Sequence, residues 1–325
     1  MAININDTSY DGIYLKAFLL FIAANFETSE KGLIARKTGI KSKLKIPRLK
    51  LKNAIQAPTS GIPQHSGKVD IDARHLEPQQ VLIYLEFDPL DFNDYWTEVE
   101  MNPALLDAML PKSVESAIIQ ALVAENAEWM DEAIWQSELD SVAIADALAN
   151  GLGDGDNNLI FFDGLMKRIF LAPGVKKVAT PVVLTKANIV GELGRIKASI
   201  PKKIWKNKDF KLVVSSNTMD IYGDAQKEQT NKGVDFTEEG KSTFGGKDLV
   251  EIGGLADDTI IGTIMKDGVG GNLWYGCNMA DEENSLRIDR VANNSEKWFM
   301  KAMFTLDTNV AKPEETVYYS TKTYS

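Results

Sequence analysis

The sequence predicts an α+β protein whose core carries a long two-stranded arm, and three observations predict it. A basic stretch alternates charged and apolar residues at period two. A long segment with helical apolar spacing and an acidic opposite face follows it. The second half then mixes helical stripes with a series of short strands.

The first apolar run, Ile13 to Ala24, is interrupted by Lys16. It is too short to span a bilayer, which needs about 20 apolar residues. An amphipathic or buried helix is expected, packed on its own core or on a neighbouring subunit. Residues 31–53 then carry Lys31, Arg36, Lys37, Lys41, Lys43, Lys45, Arg48, Lys50 and Lys52 and no acid. Within it Lys43, Lys45, Arg48, Lys50 and Lys52 alternate with Leu44, Ile46, Leu49 and Leu51, which puts charge on one strand face and apolar groups on the other. Pro47 cannot donate to a ladder, so the strand is an edge or is bent there. Ala57 to Gly67 is polar and bears proline and glycine, as a loop tip does. Val81-Leu-Ile-Tyr-Leu-Glu-Phe87 is a strong strand. Residues 40–90 together are expected to form a two-stranded arm, which cannot bury an apolar face alone and must lie on something.

A helix is expected over about 112–137. Ile119, Val123, Ala127, Met130 and Ile134 form one stripe, and Glu125, Glu128 and Glu132 fall about opposite. The glycine-rich stretch from Gly151 to Asn158 marks a domain boundary. Beyond it Thr185 is placed to cap a helix with Ile189, Leu193, Ile196 and Ile200 on one face, stopped near Pro201. Lys211 to Ser215 is a short buried strand, and a helix capped by Ser216 or Asn217 runs to about Lys227. Strands are expected at 248–252, 259–265, 272–277, 285–291, 298–306 and 315–320. In the strand that starts at Trp298, alternate residues Met300, Ala302, Phe304 and Leu306 mark a core face.

The chain is 44% hydrophobic and 25% charged, as folded proteins are, with a net charge of −10. Its one cysteine, Cys277, allows no internal disulfide and suits a reducing compartment. Two histidines, His65 and His75, and that cysteine do not make a structural zinc site. No signal peptide is evident. Gly240-Lys-Ser-Thr243 resembles the end of a phosphate-binding loop, but Asp235 stands where the loop needs glycine and Gly245-Gly246 oppose a following helix. Asp154, Asp156 and Asn158 have the spacing of a calcium loop, yet Leu159 and Leu165 occupy the positions of its glycine and final acid. Gly268, Gly270 and Gly271 suit a turn. No nucleophile elbow or paired-carboxylate site stands out, so no catalytic, cofactor or metal site is expected and the chain is not read as an enzyme.

The basic strand has three readings. It could meet an acidic face, for which the helix at 112–140 offers seven acids and one base, and the arm's reach makes that contact one between subunits. It could be a solvated surface. It could neutralise nucleic-acid phosphates without sequence preference, though no aromatic residue interleaves to stack on bases.

In order, these parts resemble the Hong Kong 97-type major capsid proteins of tailed bacteriophages. The segments that carry the resemblance are Leu159-Ile-Phe-Phe-Asp-Gly-Leu-Met-Lys-Arg-Ile169, then Ile200-Pro with Phe210-Lys-Leu-Val-Val-Ser-Ser216 and the helix bearing Tyr222. Ser285-Leu-Arg-Ile-Asp-Arg-Val291, Trp298-Phe-Met-Lys-Ala-Met-Phe304 and Pro313-Glu-Glu-Thr-Val-Tyr-Tyr319 complete the series. The resemblance implies an N-terminal arm over 1–39, an extended loop over 40–90, a peripheral domain with a spine helix from 91–154 and 291–325, and an axial domain over 155–290. It implies hexamers and pentamers in an icosahedral shell around double-stranded DNA, in the virion after assembly in the host cytoplasm. Portal and possible scaffold or decoration proteins are the further partners, with DNA contacted non-specifically and no membrane. The interface residues it implies are Lys41, Lys43, Lys45, Arg48, Lys50 and Lys52 against Glu125, Glu128 and Glu132. The first expected helix begins near residue 10, so a scaffold is expected to be separate or absent, and no lysine–asparagine crosslink is singled out. An encapsulin-type cellular compartment, which has the same fold, is the alternative.

Overall fold

Thirteen residues, Trp298–Val310, form strand β12, around which the first sheet is built. Trp298, Met300, Ala302, Phe304 and Leu306 are all buried, so the alternation seen in the sequence is the core face. Strand β4 (Gln79–Phe87) runs antiparallel along one edge of β12, from Phe87 opposite Trp298 to Gln79 opposite Leu306. Two strands share the other edge in series. β11 (Leu286–Arg290) pairs with residues 298–302, and β10 (Leu273–Asn278) with residues 305–310. β1 (Ala35–Thr38) lies parallel to β10 beyond it. The computed structural model describes residues 26–40, 42–52, 55, 68–88, 112–151, 157–228, 242–268, 270–278, 286–292 and 297–324. The expected helix at Ile13–Ala24, the loop tip with His65, Lys41, and the calcium-like Asp154 and Asp156 lie outside the described residues.

The arm is therefore built differently from expectation. β2 (Leu44–Lys52) pairs antiparallel with β3 (Lys68–Leu76), and Val81–Phe87 belongs to the core sheet instead. A β-branched, aromatic run satisfies any sheet, and its period says which face is buried, not which strand is the neighbour. Pro47 stands in a two-stranded ladder, each strand of which has an outer edge.

The second sheet has the order β5-β13-β9-β6-β8-β7. Its members are β5 (Lys176–Lys177), β6 (Phe210–Ser215), β7 (Thr243–Phe244), β8 (Lys247–Ile252), β9 (Ile260–Ile264) and β13 (Val317–Tyr319). Gly262 in β9 leaves no room for a Cβ, which would come within 2.7 Å of both Leu212 and Val317. Helices α5 (Ile189–Ser199) and α7 (Ser216–Glu228) cover this sheet, and Ile189, Leu193, Ile196 and Ile200 enter its core as the spacing predicts. The N-cap of α5 is Asn188, not Thr185 as expected: the Thr185 carbonyl accepts from Asn188 and Ile189 N–H, and its own N–H donates to Asn188 Oδ1 at 2.8 Å, so a turn precedes the helix. The Gly245-Gly246 turn, both glycines at positive φ, returns β7 into β8. A strand that begins at Thr243 and a tight turn thus stand where a phosphate-binding loop requires a helix.

Val213, Ile252, Ile261 and Tyr318 of the second sheet pack in the same core as Phe304, Met300 and Tyr275 of the first. The sheets also exchange strands along the chain, since β10 from the expected axial stretch lies in the first sheet and β13 from the closing stretch in the second. Helix α2 (Lys112–Gln136) has 25 residues and so runs about 37 Å. Met130 and Ile134 are buried, Ala127 is half-buried, and Glu125, Glu128 and Glu132 are exposed. The side chains of Ile119 and Val123 lie outside the description. Two short helices, α1 (Glu27–Glu30) and α4 (Leu165–Leu171), hold the C-terminal part of α2. Buried Asp131 accepts from the Thr28 N–H at 3.0 Å and the Gly254 N–H at 3.1 Å. Asp140 caps α3 (Ser141–Asn150) by accepting from Val142 and Ala143 N–H.

Candidate subunit interface

The hairpin β2–β3 has its own two-stranded sheet, and the described part of its apolar face packs at the root. There Ile46 and Leu76 bury against Ile40, with Leu44, Trp274 and Ala311 around them. The Asn309 amide donates to the His75 carbonyl at 2.6 Å, tying the base of β3 to β12. Glu77 and Pro78 then turn the chain from the hairpin into β4.

Charge holds the same region. Lys43 pairs with Glu77, and this hydrogen bond is the main reason the Glu77 carboxyl lies below its ordinary value. Arg48, largely buried, reaches Glu314 at 2.9 Å. The Glu77 N–H donates to Asp307 at 2.7 Å, and Arg168 pairs with the other Asp307 oxygen at 3.1 Å. Burial pushes the Asp307 carboxyl up to about 6, with Arg168 pulling against it.

Of the nine residues expected at the interface, Lys41 lies outside the described residues, and the side chains of Lys50 and Lys52 are likewise outside the description. Lys43 and Arg48 have acidic partners at home, in Glu77 and Glu314. Lys45 is exposed, opposite His75 in the ladder. The register also sets Arg48 opposite Asp72 and Lys50 opposite Asp70, so the basic strand faces two acidic positions on its own partner strand. Glu125, Glu128 and Glu132 form an exposed acidic side of α2. Glu128 and Glu132 border an open cleft with Phe26, Glu27, Asp131, Gly253 and Gly254. No described ion pair joins the hairpin to α2 within the subunit.

Sequence reasoning missed Glu77, Arg168, Asp307 and Glu314. Only Asp307 left a signal: it sits in a polar run, Thr305 to Asn309, that prolongs a strand whose apolar alternation stops at Leu306. That run is buried because its groups are satisfied. Thr308 Oγ1 donates to the Asp163 carbonyl at 2.7 Å, and Thr305 Oγ1 accepts from Asn278 N–H at 3.1 Å. Among the described residues no three His, Cys, Asp or Glu side chains are grouped to hold a metal, and no helix is long and apolar enough to cross a membrane.

The described residues form a five-stranded sheet, a separate two-stranded hairpin and a second sheet covered by helices. The chain has the α+β fold of Hong Kong 97-like capsid proteins. It is similar to a chain in the procapsid of satellite phage P4 with its size determination protein, at a TM-score of 0.61 and 10% identity over 97% of this chain and 93% of that one. It is similar to the capsid of an empty GTA particle, at 0.54 and 9% identity over 90% and 89%. A chain of the cyanophage A-1(L) capsid matches at 0.51 and 11% identity over 98% and 96%. No family model matches the sequence, and no curated protein matches it.

Proposed function

We propose that the chain is the major capsid protein of a tailed phage, assembling into an icosahedral head around double-stranded DNA. The observation that carries this is the match in fold to a procapsid chain along almost the full length of both. Its work in this reading is mechanical. In this reading residues 1–39 are the N-terminal arm, 40–90 the extended loop, 91–154 with 291–325 the peripheral domain, and 155–290 the axial domain. Portal, scaffold and decoration proteins are further partners, and assembly takes place in the host bacterial cytoplasm.

The hairpin is the intersubunit contact in this proposal. Its outer part reaches past the root cluster that its own subunit supplies, so its remaining apolar face and Lys45, Lys50 and Lys52 lie on a neighbour's α2, against Glu125, Glu128 and Glu132. Lys43 and Arg48 brace the hairpin at home, which sets the direction in which it leaves the subunit. Each exposed ion pair contributes only about 0–1 kcal/mol, but a closed shell repeats it in every subunit.

Assembly followed by light scattering tests this. Lys45→Glu with Lys50→Glu should slow or abolish particle formation, and adding Glu128→Lys with Glu132→Lys should restore it. Unchanged assembly in the first variant would refute the contact.

A further inference from the structure

A second basic region, apart from the hairpin, lies on the helix-covered sheet. Between Arg195 and Lys211 the chain has seven basic residues and one acid, Asp209. Arg195 is taken up by Glu192, at 2.7 Å. Lys197, Lys202, Lys203, Lys206 and Lys208 are exposed, and none of them pairs with a carboxylate among the described residues.

The local fold makes this a fixed platform. α5 ends at Ser199, Pro201 starts the single turn α6 (Lys202–Trp205), and Trp205 and Phe210 anchor the segment with ring centroids 5.4 Å apart. Ile200, Trp205 and Phe210 all point into the core, which leaves the lysines outward. Lys197 Nζ sits 5.6 Å above the Trp205 ring, and Lys247 from β8 donates to the Asn207 carbonyl at 2.6 Å, adding a positive charge at the rim. Asp209 is half-buried beneath, and Asp248 is the exposed acid on β8 next to Lys247.

We infer that this lysine platform is a contact surface for the phosphate backbone of duplex DNA. The partner rests on the capsid reading; the surface does not. Protein interfaces centre on aromatic and apolar anchors and are depleted in lysine. None of the large exposed hydrophobic side chains lies between 197 and 211. Lysines are point charges that read no sequence, and a chain of net −10 that concentrates them here focuses a local positive field without gripping DNA over its whole surface. The contact is thus weak per subunit, salt-labile and sequence-independent.

The test measures binding of a labelled 20-base-pair duplex by fluorescence anisotropy across a salt series, with assembly state followed in parallel by electron microscopy. Lys202→Gln, Lys203→Gln and Lys206→Gln together should weaken binding about tenfold or more at low salt and make the log–log salt slope shallower by about 2–3. A control with the same charge change elsewhere, Lys37→Gln, Lys266→Gln and Lys301→Gln, should bind nearly as the parent does. Equal loss in both variants would reduce the effect to net charge and overturn the inference. So would absence of binding by the parent at low salt, or assembly failure with unchanged DNA binding, which would make the platform a protein contact. A parent that binds DNA through this platform yet forms no particles would keep the surface and sink the capsid reading.

Discussion

Arg168 and Asp307 meet at 3.1 Å beneath the turn that joins the hairpin to the core sheet. The second Asp307 oxygen holds the Glu77 N–H at 2.7 Å, so one buried carboxylate joins α4, β12 and the hairpin root.

That carboxylate carries a pH dependence with a definite sign. Burial raises Asp307 from 3.8 to about 6, so the folded chain binds its proton more tightly than the unfolded one. Its contribution to stability is fully present below about pH 4 and is lost as pH rises through about 6, amounting to roughly 3 kcal/mol. Asp307→Asn keeps an acceptor for Glu77 and removes the titration. Urea unfolding at pH 4.5 and pH 7 should show the variant losing less stability between the two than the parent, and an unchanged difference would contradict the assignment.

Gly254 packs against the turn of α2 that presents Glu132. A Cβ there would stand 2.4 Å from the Asp131 carbonyl oxygen and 2.7 Å from the Glu132 nitrogen, both backbone atoms that cannot swing aside. Gly254→Ala should destabilise the chain by about 2–4 kcal/mol and lower its thermal midpoint accordingly. Gly191→Ala, where nothing lies within 4 Å, should be neutral or slightly stabilising because the site is helical.

Cys277 is buried in β10, and burial pushes its thiol up to about 12. It is therefore uncharged and unreactive at neutral pH. A disulfide reagent should label the folded chain very slowly and the urea-unfolded chain at once. Rapid labelling of the folded chain would show that β10 opens.

Glu314 braces the hairpin through Arg48 across a gap of 266 residues in sequence. Glu314→Gln should cost about 1 kcal/mol or less, since Glu314 is partly solvated. Its clearer mark should be faster amide exchange in β2 with exchange in β12 unchanged.

Much of the fold was legible where one period dominates. Ile189, Leu193, Ile196 and Ile200 mark α5, and the alternation from Trp298 to Leu306 marks β12 as far as Leu306. Beyond it, Asp307, Thr308 and Asn309 are buried polar residues whose partners, such as Asp163 and His75, are distant in sequence, so no local pattern could extend the strand. β1 is only four residues, and three of them are exposed. The basic character of the hairpin was plain, but its home partners Glu77 and Glu314 were not, because ion pairing depends on where the chain returns. The lysine platform was written in the sequence, but only Lys197 lies in the helix marked by its apolar stripe, and the other lysines follow Pro201 in a stretch that carries no period.

Negative-stain electron microscopy of the purified chain, paired with size-exclusion chromatography over a range of concentrations, tests the central claim most directly. The capsid reading predicts hexamer and pentamer rings or closed shells that grow with concentration. A chain that stays monomeric at high concentration, even with phage scaffold protein added, would contradict it.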